Sequence, residues 1–201
     1  MKEILLIEDD LSLRKQLVFA LEKFYKVFEA GARQEALNIL ASNTNIDVSI
    51  IDLGLPPTEN TPKEGLMLIE HIIAETKCKV VVLTGQETDM ASIESIKLGV
   101  FDFLPKPAPV EKILYAVERA LVYQKAEDSI EKEGIRKISL NVKLGDGLQS
   151  IRDEAEKQLI KKVLTDTDFN VYKTAKIMGI KRENIYYFLK KFGLKRDKNE
   201  S

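Results

Sequence analysis

The sequence predicts a chain in two parts: an α/β domain on a doubly wound five-stranded parallel sheet, then a smaller all-α domain. Three observations predict it. Five short apolar runs alternate with five amphipathic segments over residues 1–124, the pattern of repeated strand–helix units. Three of the runs end in acids or an amine: Glu8-Asp9-Asp10, Asp52 and Lys106. Beyond residue 147 the pattern is helical only, and the charge changes sign.

The elements follow in order. Residues 3–8 read as a strand, and 11–24 as a helix with Leu13, Leu17, Leu21 and Phe24 on one face. Residues 25–29 form a short strand, and 33–42 a helix through Ala36, Leu37 and Leu40. A strand at 47–52 precedes a helix at 65–76 carrying Leu66, Ile69, Ile72 and Ile73. The polar stretch from Pro57 to Glu64 contains two prolines and reads as a loop. Residues 79–83 are a strand, about 88–98 a helix, 101–104 the fifth strand and 109–124 the fifth helix. Mixed charge and few large apolar groups mark 125–147 as a linker, beginning with an extension of that helix. Helical spacing resumes through Ile151, Ala155, Leu159, Ile160, Val163 and Leu164. A short helix over 171–177, capped by Asn170, then meets a turn at Met178-Gly179-Ile180 and a last helix over 181–192. Two short helices joined by a glycine-containing turn are the helix-turn-helix pattern.

Charge divides along the same line. Residues 1–122 hold 13 Lys+Arg against 19 Asp+Glu, and residues 123–201 hold 18 against 13. A basic tail behind an acidic domain points to a polyanionic partner; solvated lysine-rich faces are the plainer alternative. Cys78 is the single cysteine, which excludes an intrachain disulfide and a cysteine-based metal site. The first apolar run is too short for a signal peptide, and no run approaches a membrane span. The expectation is a cytoplasmic protein without a membrane partner.

In an open α/β sheet the carboxyl ends of neighbouring strands share one crevice. Carboxylates from two strands and an ammonium from a third therefore converge. Crowded carboxylates repel unless a cation offsets them, and a hard, oxygen-preferring ion such as Mg²⁺ suits the set. Asp10 either joins these acids or caps the first helix. The single histidine, His71, has no partner at ligand spacing and reads as a surface or half-buried residue.

The motifs Glu8-Asp9-Asp10, Asp52-Leu53-Gly54-Leu55-Pro56, Leu83-Thr84-Gly85 and Lys106-Pro107 occur in that order on successive strand ends. Through them residues 1–124 resemble the flavodoxin-like receiver domain of bacterial two-component response regulators. The resemblance implies a phosphoryl group accepted on Asp52 from a sensor histidine kinase, and Mg²⁺ held by Glu8, Asp9, Asp52 and the carbonyl of Gly54. It further implies that Lys106 pairs with the phosphoryl oxygen, that Lys106–Pro107 is a cis peptide, and that Thr84 and Phe103 form a switch pair. Phe103 departs from the family's tyrosine in lacking a hydroxyl. By the same route, the 87–124 face is where the two states differ. Taken singly, Thr84 is also an ordinary strand-end residue and Phe103 an ordinary core ring.

Residues 148–201, through Asn170 to Arg182, Ile185, Tyr186 and Leu189, resemble the Fis-type helix-turn-helix domain of enhancer-binding activators. That implies double-stranded DNA as a partner, a homodimer paired through a helix at 150–164, and contacts from Lys181, Arg182, Glu183, Asn184, Tyr187, Lys190 and Lys191. Arg182 and Asn184 suit guanine and adenine, and Lys190 and Lys191 suit phosphates. No Gly-x-x-x-x-Gly-Lys-Ser/Thr loop occurs, so the central ATPase of those activators is not expected. The expected function is regulatory rather than enzymatic. Two rivals stand beside it. One is an aspartate-nucleophile phosphatase resembling the haloacid dehalogenases, against which Gly54 replaces the required second aspartate. The other is a phosphorelay or interaction protein whose tail does not bind DNA.

Overall fold

In the computed structural model the strands β1 (Glu3–Ile7), β2 (Lys26–Ala30), β3 (Val48–Ile51), β4 (Lys79–Thr84) and β5 (Asp102–Pro105) form one sheet. All pairings are parallel, in the order β2-β1-β3-β4-β5. The structure describes residues 1–43, 45–85, 89–133, 135, 145 and 147–195. The chain divides into two units, residues 1–134 and 135–201.

Successive side chains of a strand point to opposite faces, and here both faces are covered. Leu5, Ile7, Ile51, Val80 and Val82 pack against α2 (Arg33–Ser42), α3 (Lys63–Glu75) and Ala91 of α4 (Asp89–Leu98). Ile4, Leu6, Val48, Ile50, Val81 and Leu83 pack on the other side against α1 (Leu11–Leu21) and α5 (Val110–Lys132). The doubly wound expectation is met.

Local capping chemistry sets the helix starts. The Asp10 carboxylate accepts from the Leu13 N–H at 3.0 Å, so this acid caps α1. The far end of α1 differs from expectation. The helix stops at Leu21, the chain turns into β2, and Phe24 is exposed rather than packed. The helix expected over 65–76 begins at Lys63, which confines the polar loop to residues before it. His71 is exposed and Cys78 is buried; burial pushes its thiol up to about 12.

The fifth helix continues to Lys132, well into the expected linker. Its extension lies along the segment before β4. Gln124 donates to the Lys77 carbonyl at 3.4 Å, Glu127 pairs with Lys79, and Glu131 pairs with Lys77. Within the expected 125–147 linker, residues 134, 136–144 and 146 lie outside the described residues. So do 86–88, at the start of the expected switching face, and 196–201 of the expected last domain.

The described residues of the second unit form three helices, α6 (Gly147–Asp166), α7 (Val171–Met178) and α8 (Arg182–Phe192). Ile160, Leu164, Ala175 and Ile185 form its core, with Phe169, Met178, Ile180 and Phe188 packed on it. Asn170 caps α7 by accepting from the Lys173 N–H at 3.0 Å, and Thr167 and Thr174 join their hydroxyls at 2.7 Å. Between α7 and α8 the chain turns through Gly179 at φ 66°. That left-handed conformation ends α7 by giving the Gly179 N–H to the last carbonyls. Among the described residues no helix is long and apolar enough to cross a membrane.

A side chain at position 179 would meet open space but sit in a left-handed backbone. Gly179→Ala is therefore expected to destabilise the second unit by about 1 kcal/mol. Urea denaturation of the full chain, followed through a probe in that unit, measures it.

Candidate functional site

Register brings the sequence-predicted residues together. Ile7 lies beside Ile51 across β1 and β3, so Glu8 and Asp52 leave the sheet as neighbours, with the Asp52 N–H donating to the Ile7 carbonyl at 2.9 Å. Lys106 follows β5, and its N–H donates to the Thr84 carbonyl at 2.9 Å. The site therefore stands at the carboxyl ends of β1, β3, β4 and β5, beside the point where strand order reverses between β1 and β3.

The Lys106 Nζ lies 2.6 Å from Glu8 Oε2 and 2.6 Å from Asp52 Oδ2. Glu8 is almost wholly buried, Asp52 is buried and Asp9 is exposed. Burial pushes the Glu8 carboxyl above the ordinary range, against the pull of the Lys106 ammonium. Burial also disfavours the ammonium of Lys106, but its hydrogen bonds to Asp52 and Glu8 outweigh that and hold its pKa above the ordinary value. The lysine stem forms part of the wall of an apolar cavity of about 300 Å³ with Leu13, Leu17, Leu83, Pro107 and Ile113. Lys106–Pro107 is a cis peptide, as the motif implied; Pro56–Pro57 is a second one the sequence did not announce.

Carboxylate oxygens of Glu8, Asp9 and Asp52 lie within 4.8 Å of one another. Three hard oxygen donors at that spacing fit a small divalent cation such as Mg²⁺. The Gly54 N–H donates to Asp52 Oδ1 at 3.2 Å, which fixes the carboxylate's orientation.

Thr84 is fully buried at the end of β4. Phe103 lies opposite Val82 in the ladder and is half-buried, packed against the same core face as Val82. Thr84, two residues beyond Val82, points to that face as well. Chain direction thus sets hydroxyl and ring on one side of the sheet.

Two residues that sequence reasoning did not single out shape this end of the sheet. A Cβ on Gly65, in the first turn of α3, would stand 2.5 Å from Leu53 Cα and 3.0 Å from the Asp52 carbonyl oxygen. Only glycine lets the helix press this closely on the strand end that carries Asp52; a glycine just inside a helical pattern was the available signal. Arg14 of α1 donates from Nη1 to the Glu8 carbonyl, and to the Asp9 carbonyl at 3.4 Å.

In the second unit, Lys181, Arg182, Glu183, Asn184, Tyr187 and Lys190 are exposed along α8 and its N-cap. Lys191 is exposed as well, and its ammonium sits 2.7 Å from Asp153 and 3.4 Å from Glu156 on α6. This surface pair ties α8 to α6.

Comparison with known proteins gives two family matches. The response regulator receiver domain covers residues 4–118, and the bacterial regulatory protein, Fis family, covers 151–192. Regulatory protein VirG of Rhizobium radiobacter is 26% identical over 125 residues, 60% of this chain and 44% of that protein. The chain thus spans less than half the length of that relative. A receiver domain protein from Clostridium thermocellum is 28% identical with a TM-score of 0.58, covering 63% of this chain and 98% of that one. A response regulator from Burkholderia pseudomallei, solved with a phosphorylated aspartic acid, calcium ion and citrate, is 25% identical with a TM-score of 0.53. It covers 94% of this chain and 98% of that one.

Gly65→Ala is expected to displace the Asp52–Leu53 backbone and to cost about 1–3 kcal/mol. Urea denaturation gives the cost, and a crystal structure of the variant gives the displacement.

Proposed function

Because the chain belongs to the response regulator receiver domain family, we propose that it is a DNA-binding transcriptional regulator switched by a phosphoryl group on Asp52. Residues 1–124 are the phosphoacceptor, 125–147 the connection and 148–201 the DNA-binding part. An oxygen of Asp52 attacks the phosphorus of a phosphohistidine on a sensor kinase. The P–N bond breaks, the imidazole leaves, and an aspartyl phosphate results. Glu8, Asp9, Asp52 and the Gly54 carbonyl would hold Mg²⁺, which supplies charge neutralisation and alignment to the in-line transfer. Lys106 passes from the Asp52 carboxylate to a phosphoryl oxygen.

One observation carries this reading: a single ammonium held 2.6 Å from each of two buried carboxylates, with a third carboxylate within 4.8 Å. The phosphorylated aspartic acid and calcium ion of the Burkholderia pseudomallei relative support it further. The new phosphate adds roughly −1.5 to −2 charges at neutral pH. It draws the Thr84 hydroxyl inward, and Phe103 repacks with it. The face that responds carries exposed Ile93, Ile96, Tyr115 and Val122 on α4 and α5, apolar groups suited to a second receiver.

The tail acts on double-stranded DNA as a homodimer, in the cytoplasm. Its support is the Fis-family match and the exposed row from Lys181 to Lys190. On α6, Leu148 is exposed, and Ile151, Ala155 and Leu159 are only partly buried, so the helix has apolar surface for pairing.

Wild-type protein is expected to take up label from a small phosphodonor with Mg²⁺, and Asp52→Ala to take up none, read by intact-mass spectrometry. Label retained by the variant would move the acceptor elsewhere. On a DNA site selected from random fragments, Arg182→Ala is expected to cost about 1–3 kcal/mol and relax the choice of base. Lys190→Ala should weaken all sequences alike and lower the salt dependence of binding. Mobility shifts at several salt concentrations separate the two.

A further inference from the structure

Arg14 of α1 touches the backbone of the acidic loop. Its side chain is mostly buried. Nη1 donates to the Glu8 carbonyl and, at 3.4 Å, to the Asp9 carbonyl, while Nε donates to Glu29 Oε2 of β2 at 3.3 Å. A Cβ on Gly31 would lie 2.8 Å from Nη1, so the guanidinium fills space that glycine leaves open just after β2. One planar group thus joins β2, α1 and the two peptides whose side chains are the candidate cation ligands.

The orientation of a peptide plane sets the direction in which the adjoining side chains leave the backbone. With the carbonyls of residues 8 and 9 fixed toward α1, their carboxylates are presented with little freedom to swing. We propose that Arg14 is a positioning residue for divalent-cation binding, acting by locking the Glu8–Asp9 backbone rather than by touching the cation. The inference rests on the proposed function, since it concerns the same cation site.

Electrostatics and positioning predict opposite signs. A guanidinium near a cation site repels the cation, so Coulomb's law alone makes its removal strengthen binding. Loss of positioning weakens it; groups that orient metal ligands typically contribute about 10–100-fold in affinity. Lys15 supplies the control, because it pairs with the same Glu29 at 2.5 Å from the next position of α1.

Mn²⁺ serves as the probe, with the full chain, and free Mn²⁺ is read by electron paramagnetic resonance. Urea denaturation without metal confirms that each variant is folded. Arg14→Met is expected to bind at least about tenfold more weakly than wild type, and Lys15→Met to match wild type. Arg14→Met binding as tightly as wild type, or tighter, overturns the inference. So does Lys15→Met weakening as much as Arg14→Met, which would assign the effect to Glu29. If Arg14→Met does not fold, Arg14→Gln is judged by the same criteria. Failure of wild type itself to bind Mn²⁺ would instead overturn the cation site of the proposed function.

Discussion

The contact on which this structure turns is the ammonium of Lys106 between two buried carboxylates. Two acids this close in a poorly hydrated crevice cannot both carry charge without a cation between them. A buried ion pair is a poor way to stabilise a protein, because removing its members from water costs about as much as their attraction returns. Its value lies in what it prepares. A site already organised around positive charge can exchange one cationic partner for another as negative charge arrives, without building new structure.

The sheet makes this possible by placement. The acids belong to β1 and β3, adjacent strands at which the order of the sheet reverses, and the lysine follows an edge strand. No helix has to bend to bring them together. The parallel ladder fixes where each strand ends, and the residue beyond each end arrives at the crevice. Thr84 and Phe103 come to one side of the sheet by the same geometry, so the groups implied in switching share the core face that α2, α3 and α4 cover.

Much of this was legible because the signals are local. Strands buried on both faces read as continuous apolar runs, and caps such as Asp10 and Asn170 act on N–H groups three residues away. The departures come from interactions that no local window contains. Phe24 continues the helical period, yet the chain has already turned into β2. The extension of the fifth helix was expected, but how far it runs, to Lys132, goes with its pairing to Lys77 and Lys79, distant in sequence. Lys191 has partners that its own helix does not announce, since Asp153 and Glu156 belong to α6. Gly65 and Arg14 escaped notice for the same reason, since what each touches belongs to another element.

The extension of α5 has a mechanical consequence. Its 23 residues make a rod about 35 Å long, rooted in the loop that carries Lys106. A tilt of 5° at the root would carry the tip through about 3 Å, amplification that a short helix could not provide. Near the tip, however, Glu127 and Glu131 catch on Lys77 and Lys79 at the protein's surface. Partly exposed pairs of this kind hold by no more than about 1 kcal/mol each. The lever therefore carries a brake, and a weak one.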